Sequence, residues 1–177
     1  MPVSINGQTG AVTGLAALPD SAMASGSIIQ VVSTTKTDTF TTTSHSFTDI
    51  TGLSVSITPA SSSSKILIFA YVTGTGTSNT RAVHRLLRDS TAIAIGDAAS
   101  NRARAFGGIW TTDSQTAETV SIVHQDSPST TSATTYKIQI ANGNNTDTVY
   151  VNRANNWTND FAHPATSSGI TLMEVAA

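Results

Sequence analysis

Strand-length segments in which every second residue is apolar constrain this fold more than any other feature of the sequence. In the segment 134–140, Tyr136, Ile138 and Ile140 alternate with Lys137 and Gln139. Successive side chains of a β-strand point to opposite faces, so this segment has one apolar face that must be covered. A chain built from such segments needs two sheets that pack face to face.

The run 65–72 is the clearest buried strand. It is almost entirely aliphatic, β-branched and aromatic, and it lies between four serines and a Gly-Thr-Gly sequence, as expected for a central strand. Just before it, Leu53, Val55 and Ile57 alternate with hydroxyl residues. Together these two segments predict an antiparallel hairpin with a serine-rich loop.

Other short segments of similar character follow along the chain, and none is convincingly helical. They span residues 27–33, 37–43, 81–88, 92–96, 106–111, 118–124, 148–152 and 170–175. About ten short strands bounded by Gly, Pro, Asn or Ser predict an all-β fold, an antiparallel β-sandwich or jelly roll over residues 27–177. Within it, alternation places Ala82, His84 and Leu86 on one face, and the apolar strand 106–111 places Trp110 in the core.

Residues 1–26 differ from the rest of the chain because a turn signal occurs every few positions. Their apolar side chains are isolated, which favours either a flexible leader or an extended N-terminal arm that becomes ordered on a neighbouring subunit. We expect the arm to dock through Val3, Ile5, Val12 and Leu15.

Composition restricts the classes of partner. Charged residues make up 11% of the chain, the formal net charge is −2, and no run of like charges occurs. Nucleic-acid and membrane-surface binders need a cationic footprint, so neither partner is expected. No apolar run approaches the roughly 20 residues that cross a bilayer. Cysteine is absent, which excludes disulfides and thiolate metal sites.

No motif for catalysis, cofactor binding or metal binding emerges from the sequence. The four histidines lie far apart without metal-ligand spacing, so we expect ordinary surface or interface histidines. Ser127 lies near His124 and Asp126, but alternation points it to the opposite face. A glycosidase pair drawn from the scattered carboxylates remains formally open but disfavoured. Those carboxylates are Asp113, Glu118, Asp126 and Asp160.

Contacts with other molecules are expected from arginines and loops. Five arginines cluster between residues 81 and 104, and they form either a solvated face or a subunit interface, where arginine is favoured. Trp157 lies in a polar loop and is expected to be exposed, as a contact to a sugar or a partner protein. The candidate contact residues in the loops 97–105, 143–147 and 153–168 are Arg102, Arg104, Asn144, Asn145, Trp157, Phe161 and His163.

An ordered series of motifs resembles the terminal domains of tailed-bacteriophage fibre proteins, particularly those of marine and cyanobacterial phages. The resemblance covers nearly the whole chain, although each motif alone is of low complexity. The leader 5–13, with its Asn-Gly-Gln-Thr-Gly sequence, is similar to the linkers that separate fibre segments. The remaining matches are residues 26–32, 36–40, 47–59, 63–68, 126–139 and 170–175.

The resemblance implies a virion structural protein, assembled in the host cytoplasm, with a trimeric β-sandwich knob. Its expected partners are itself, other virion proteins (a tail adapter, the baseplate or the major capsid protein) and a host-surface glycan or protein. Fibre proteins of this type usually carry a long shaft, whereas this chain has a 26-residue arm that reaches about 85 Å when fully extended. A short tail fibre or fibre tip is therefore favoured, with a capsid decoration protein as the alternative and a glycan depolymerase as a third class.

Overall fold

The computed structural model describes residues 4–5, 12–13, 23–113, 115–144 and 146–177, and every regular element within them is a β-strand. The strands are β1 (Ser4–Ile5), β2 (Val12–Thr13), β3 (Ile28–Lys36), β4 (Phe40–Thr42), β5 (Thr48–Ile57), β6 (Lys65–Gly76), β7 (Thr80–Arg88), β8 (Thr91–Ile93), β9 (Gly107–Thr111), β10 (Glu118–Asp126), β11 (Thr134–Asn142), β12 (Val149–Val151) and β13 (Ser168–Val175).

Strands β3 to β13 form two antiparallel sheets. In sheet I, β6 is central: β10 pairs along one side, and β13 and then β12 pair along the other. Strands β3 and β4 continue the sheet beyond β13 and β12. In sheet II the order is β5, β11, β7, and then β8 and β9 along the same edge of β7.

The chain crosses from one sheet to the other at six of the ten connections between β3 and β13. Strands β3 and β4 lie in sheet I, β5 in sheet II, β6 in sheet I, β7 to β9 in sheet II, β10 in sheet I, β11 in sheet II, and β12 and β13 in sheet I. If β3 with β4, β8 with β9, and β12 with β13 are each treated as one interrupted strand, the connectivity is that of a jelly roll. The predicted β-sandwich is confirmed.

The core lies between the inward faces of the sheets. Sheet I contributes Ile68 and Leu172, sheet II contributes Leu86 and Ile138, and all four side chains are fully buried. Complete burial of such a side chain contributes about 1.5–3 kcal/mol each. The alternation of Tyr136, Ile138 and Ile140 toward the core is as the sequence predicts.

The predicted hairpin between the segments 52–59 and 65–72 is wrong. Strand β5 pairs with β11 in sheet II, whereas β6 pairs with β10, β12 and β13 in sheet I. The serine-rich loop is therefore a crossover between sheets. Both strands need their apolar faces covered, and they meet this need by packing across the core instead of side by side.

Gly52 lies within β5, although Thr51-Gly52 is a turn signal in the sequence. Gly52 has φ 83°, a left-handed conformation that glycine adopts without steric cost. The pairing of β5 with β11 changes register at this point, as at a β-bulge. The bulge lets Ile50 and Leu53, an odd number of residues apart, both enter the core.

The N-terminal segment is described only in part. Strands β1 and β2 pair with each other, Ser4 opposite Thr13 and Ile5 opposite Val12. Of the predicted docking residues, Val3 and Leu15 lie outside the described residues. Docking by the arm remains a prediction.

A polar cluster joins the two sheets near one end of the core. Arg88 of β7 donates to both carboxylate oxygens of Asp126 at 3.0 Å, and the Tyr136 hydroxyl donates to Asp126 Oδ2 at 2.7 Å. Burial and this hydrogen bond to Asp126 raise the pKa of Tyr136, so the hydroxyl stays a donor at any physiological pH. Asp126 belongs to sheet I and its two partners to sheet II, so the cluster links the layers.

Replacing Tyr136 by Phe tests this link. Tyr136→Phe keeps the packed ring but removes the donor to Asp126, and a hydrogen bond to a charged group contributes about 1.5–3 kcal/mol. We expect a loss of that size in the free energy of unfolding, measured by urea denaturation. Tyr150→Phe, on a half-buried ring of β12, is the matched control and should change stability by less than about 0.5 kcal/mol. Equal losses in the two variants would contradict the proposed link.

Candidate interaction surfaces

The two ends of the sandwich differ in what they carry. At one end, here called the arm end, the segment leading into β3 is bound to the segment that follows β13. The Gly26 amide donates to the Ala176 carbonyl at 2.8 Å, and the Ala176 amide donates to the Ser27 carbonyl at 2.9 Å. The chain therefore enters β3 beside the residues that follow β13.

The opposite end, here called the loop end, includes the described residues of the loops 77–79, 112–117 and 143–147. Ser78 Oγ donates to the Thr112 carbonyl at 3.0 Å, and Asn144 Nδ2 donates to the Asn79 carbonyl at 3.0 Å. Asn144 also donates to Asp147 at 2.8 Å, and this bond lowers the pKa of the Asp147 carboxyl. These bonds join the three loops into one polar surface that contains the predicted contact residue Asn144, whereas Asn145 lies outside the described residues.

The loop 153–167 leaves sheet I between β12 and β13, and Asn152 holds its base. Asn152 has φ 63°, in the left-handed region that Asn tolerates. Its side-chain amide donates to the carbonyls of Lys36 and Asp38 at 2.9 Å, and its side-chain oxygen accepts from Ser168 at 2.6 Å. Asn152 thus bridges the interruption between β3 and β4 and the interruption between β12 and β13 in sheet I.

Arginine and aromatic side chains stack at the start of this loop. The Arg153 guanidinium lies 4.7 Å from the centre of the Tyr150 ring and 5.4 Å from that of Trp157. It also donates to the carbonyls of Ala154 and Asn155 at 2.9 Å. Trp157 is therefore held in place, yet 42% of it is exposed, as the sequence predicts.

A shallow depression of about 330 Å³ adjoins the Trp157 ring. His163 bonds Thr158 within it at 3.0 Å, and Phe161 nearby is fully exposed. The three predicted contact residues of this loop, Trp157, Phe161 and His163, thus lie within one short segment of surface. The depression is lined by Trp157, Thr158, Asn159, Asp160, His163 and Ala165.

The loop with Arg102 and Arg104 lies elsewhere, at the edge of sheet II between β8 and β9. Arg104 donates to the Gly96 carbonyl at 2.8 Å, which closes the base of the loop. Arg102 lies with Ala99 and Ser100 around an open surface depression. The predicted contact loops therefore do not form one site, because they leave the sandwich from the loop end, from sheet I and from the edge of sheet II.

The outward face of sheet II is polar and internally bonded. Lys137 contacts Asp49 at 2.7 Å, and this hydrogen bond lowers the pKa of Asp49. Arg85 bonds Gln139 at 2.8 Å and stacks on Phe47 at 4.1 Å. In these surface contacts the charged groups are paired with each other and still hydrated.

The prediction that Trp110 lies in the core is wrong. Its side chain is 56% exposed, and Arg81 covers the ring at 4.7 Å. Five of the six arginines, at positions 81, 85, 88, 104 and 153, have side-chain partners among the described residues. That arginines face a neighbouring subunit stays a prediction.

Of the four histidines, His84 alone departs from the prediction of ordinary surface or interface residues, since His45 is exposed and His124 and His163 are partly exposed. His84 is fully buried on the inward face of β7, and neither ring nitrogen has a hydrogen-bond partner among the described residues. Burial lowers the pKa of His84 to about 4. Among the described residues no three His, Cys, Asp or Glu side chains are close enough to hold a metal ion, and no helix there is long and apolar enough to span a bilayer.

His84 makes stability depend on pH. The pKa of His84 is about 4 in the folded state and about 6.5 in the unfolded state. The free energy of unfolding therefore has its full value above pH 6.5 and decreases as the pH falls toward 4, because only the unfolded state binds the proton in this range. The loss amounts to about 3 kcal/mol. His84→Leu should be more stable at pH 7, since no polar nitrogen is buried, and should lose less stability on acidification.

Urea denaturation of both proteins at pH 7, 5.5 and 4.5, at one protein concentration, measures this difference. The free energy of unfolding of His84→Leu is subtracted from that of the wild type at each pH. This difference removes the contribution of the carboxylates, which titrate alike in both proteins. An identical pH dependence in the two proteins would contradict the burial of a neutral His84.

Asn152 is testable by truncation. Asn152→Ala removes three side-chain hydrogen bonds, two of which are buried, so we expect a loss of about 2–4 kcal/mol in unfolding free energy. Asn156→Ala, on the exposed part of the same loop, should stay within about 0.5 kcal/mol of the wild type. Thermal denaturation of the three proteins measures this difference. Equal melting temperatures of the two variants would contradict the role of Asn152.

Comparisons with family models and with curated proteins identify no relative for this chain. No family model matches the sequence. A search of curated proteins finds no match either. The function of this protein must therefore be inferred from its own residues and their arrangement.

Proposed function

We propose that this protein is a structural protein of a tailed-bacteriophage virion, a short tail fibre or fibre tip. Residues 1–26 dock it to the particle, and a homotrimer of the β-sandwich contacts the host surface. The ordered motif series described above supports the phage assignment. The jelly roll agrees with the terminal knob that the resemblance implies.

The observation that carries the proposal is that the arm and the bonded loops lie at opposite ends of the sandwich. The arm leaves from the end where Gly26 and Ala176 are bonded to each other. The bonded loops around Asn144 lie at the opposite end. A protein fixed through its arm therefore presents the loop end away from its support, as an attachment protein requires.

Self-association is part of the proposal on energetic grounds. Cysteine is absent, and the described residues contain three salt bridges, two of which have a partner that is at least half exposed and therefore contribute little. Oligomerisation stabilises a folded domain by mass action without either device. A closed cyclic arrangement also multiplies the loop ends that face one host surface.

Deletion of residues 1–26 tests docking. We expect the truncated protein to keep strands β3 to β13 and a similar melting temperature, because these strands lie within residues 28–175, but to be lost from purified particles. Incorporation is measured by quantitative immunoblotting of phage particles grown with tagged protein supplied in trans. Asn144→Ala in the full-length chain is the control and should be incorporated normally.

Incorporation of the truncated protein at the wild-type level would contradict docking through the arm. Copy number in the same particles discriminates between locations. A handful of copies per particle supports the tail fibre, whereas hundreds of copies would overturn it in favour of capsid decoration.

A further inference from the structure

The outward face of sheet I carries an unusual concentration of apolar side chains. Across the four neighbouring strands, one row of the pairing contains Val123, Phe69 and Thr171. The next row contains Leu67, Met173 and Val31. Tyr71 occupies the row on the other side of Phe69. The apolar face is defined here as Val31, Leu67, Phe69, Tyr71, Val123 and Met173.

Several of these side chains are exposed in the single chain. Val123 is 65% exposed, Val31 53%, and Phe69 40%. Their strand neighbours Ile122, Val32 and Ile68 pack into or against the core, so the apolar face is a second apolar surface on the outside of the same strands. Monomeric proteins rarely expose continuous apolar patches beyond a few hundred Å².

The apolar face is also nearly free of charge. The other residues in its rows are Gly169, Gln125 and several residues with hydroxyl side chains. Lys65 lies at its arm-end margin, where it donates to Ser127 at 3.0 Å. The outward face of sheet II, by contrast, carries Asp49, Lys137 and Arg85. One outer face of the sandwich is thus suited to water and the other is not.

Tyr71 is fixed before any partner arrives. A Cβ atom on Gly169 would lie 2.8 Å from the Tyr71 ring, so the ring lies directly across this glycine on the neighbouring strand. The Tyr71 hydroxyl also bonds Ser167 at 3.3 Å. An aromatic side chain that is already held in place loses little conformational entropy on association.

We propose that the apolar face is the surface through which one copy of this chain binds another. The inference rests on the homotrimer of the proposed function and names the part of the protein that forms it. An uncharged surface meets a second copy without like-charge repulsion, which a strongly charged face could not do. Its mixture of aliphatic residues, Met and aromatic residues, with charges depleted, is typical of homo-oligomer interfaces.

The dimensions of the face agree with this partner. Four strands at about 4.8 Å spacing and five residues at about 3.4 Å rise give a footprint on the order of 300 Å². A standard interface buries about 800 Å² per partner. The apolar face therefore supplies the centre of an interface, and the adjoining hydroxyl residues of the same strands supply its rim.

Charge substitution on the face is the direct test. Val123→Glu and Val31→Glu place a carboxylate on two different strands of sheet I, at positions exposed enough for the protomer to fold. Ser54→Glu, exposed on the outward face of sheet II, is the matched control. The measurement is the mass of the full-length proteins by size-exclusion chromatography with light scattering, with circular dichroism as the check on folding.

The wild type and Ser54→Glu should have three times the 18.3 kDa chain mass, and both face variants should dissociate at concentrations at least tenfold higher. Face variants that stay as oligomeric as the control would overturn the proposed surface while leaving the homotrimer intact. A wild-type monomer at about 100 μM would overturn the homotrimer as well. Docking to the particle is decided separately, by deletion of the arm.

Discussion

Contact between the inward faces of two sheets is the interaction on which the rest of this structure depends. Ile68 and Leu172 from sheet I meet Leu86 and Ile138 from sheet II, all without exposure to water. Because side chains alternate along a strand, a one-residue slip of any of these strands would turn its apolar row outward. The crossovers, the strand interruptions and the positions of the loops all follow from keeping these rows in contact.

Local patterns predicted the strands well but not their partners. The strands around Ile138 and Leu172 are recognisable because alternation is a property of neighbouring residues. The partner of β5 is β11, about 80 residues later, and no local pattern records that choice. Adjacent alternating segments invite a hairpin prediction, whereas the need to cover both apolar faces favours a crossover.

The surface was predicted less completely than the core. Trp157 was correctly expected to be exposed because its neighbours are polar, but Trp110 was misplaced because its strand lies at the edge of sheet II, where Arg81 covers the ring. Alternation put His84 on the correct face with Ala82 and Leu86, yet its residue type argued for the surface. Asn152 gave no signal beyond that of a strand end, since its partners are more than 100 residues away or across a long loop.

The apolar face and the two ends of the sandwich give the protein three different surfaces. The charged network of Asp49 and Lys137 suits sheet II to solvent, and the apolar face suits sheet I to another copy of the chain. The arm end and the loop end then point in opposite directions along the strands. A trimer assembled through sheet I would carry its arms at one end and its bonded loops at the other.

Hydroxyl-radical footprinting across a dilution series tests this arrangement most directly, because it reports on the exposure of individual side chains. Phe69 and Tyr71 on the apolar face are compared with Trp110 on the outside of sheet II, which is exposed to a similar or greater extent in the single chain. The account predicts that Phe69 and Tyr71 are protected at high protein concentration and become reactive on dilution, while Trp110 reacts equally throughout. Phe69 and Tyr71 that react at every concentration as readily as Trp110 would contradict it.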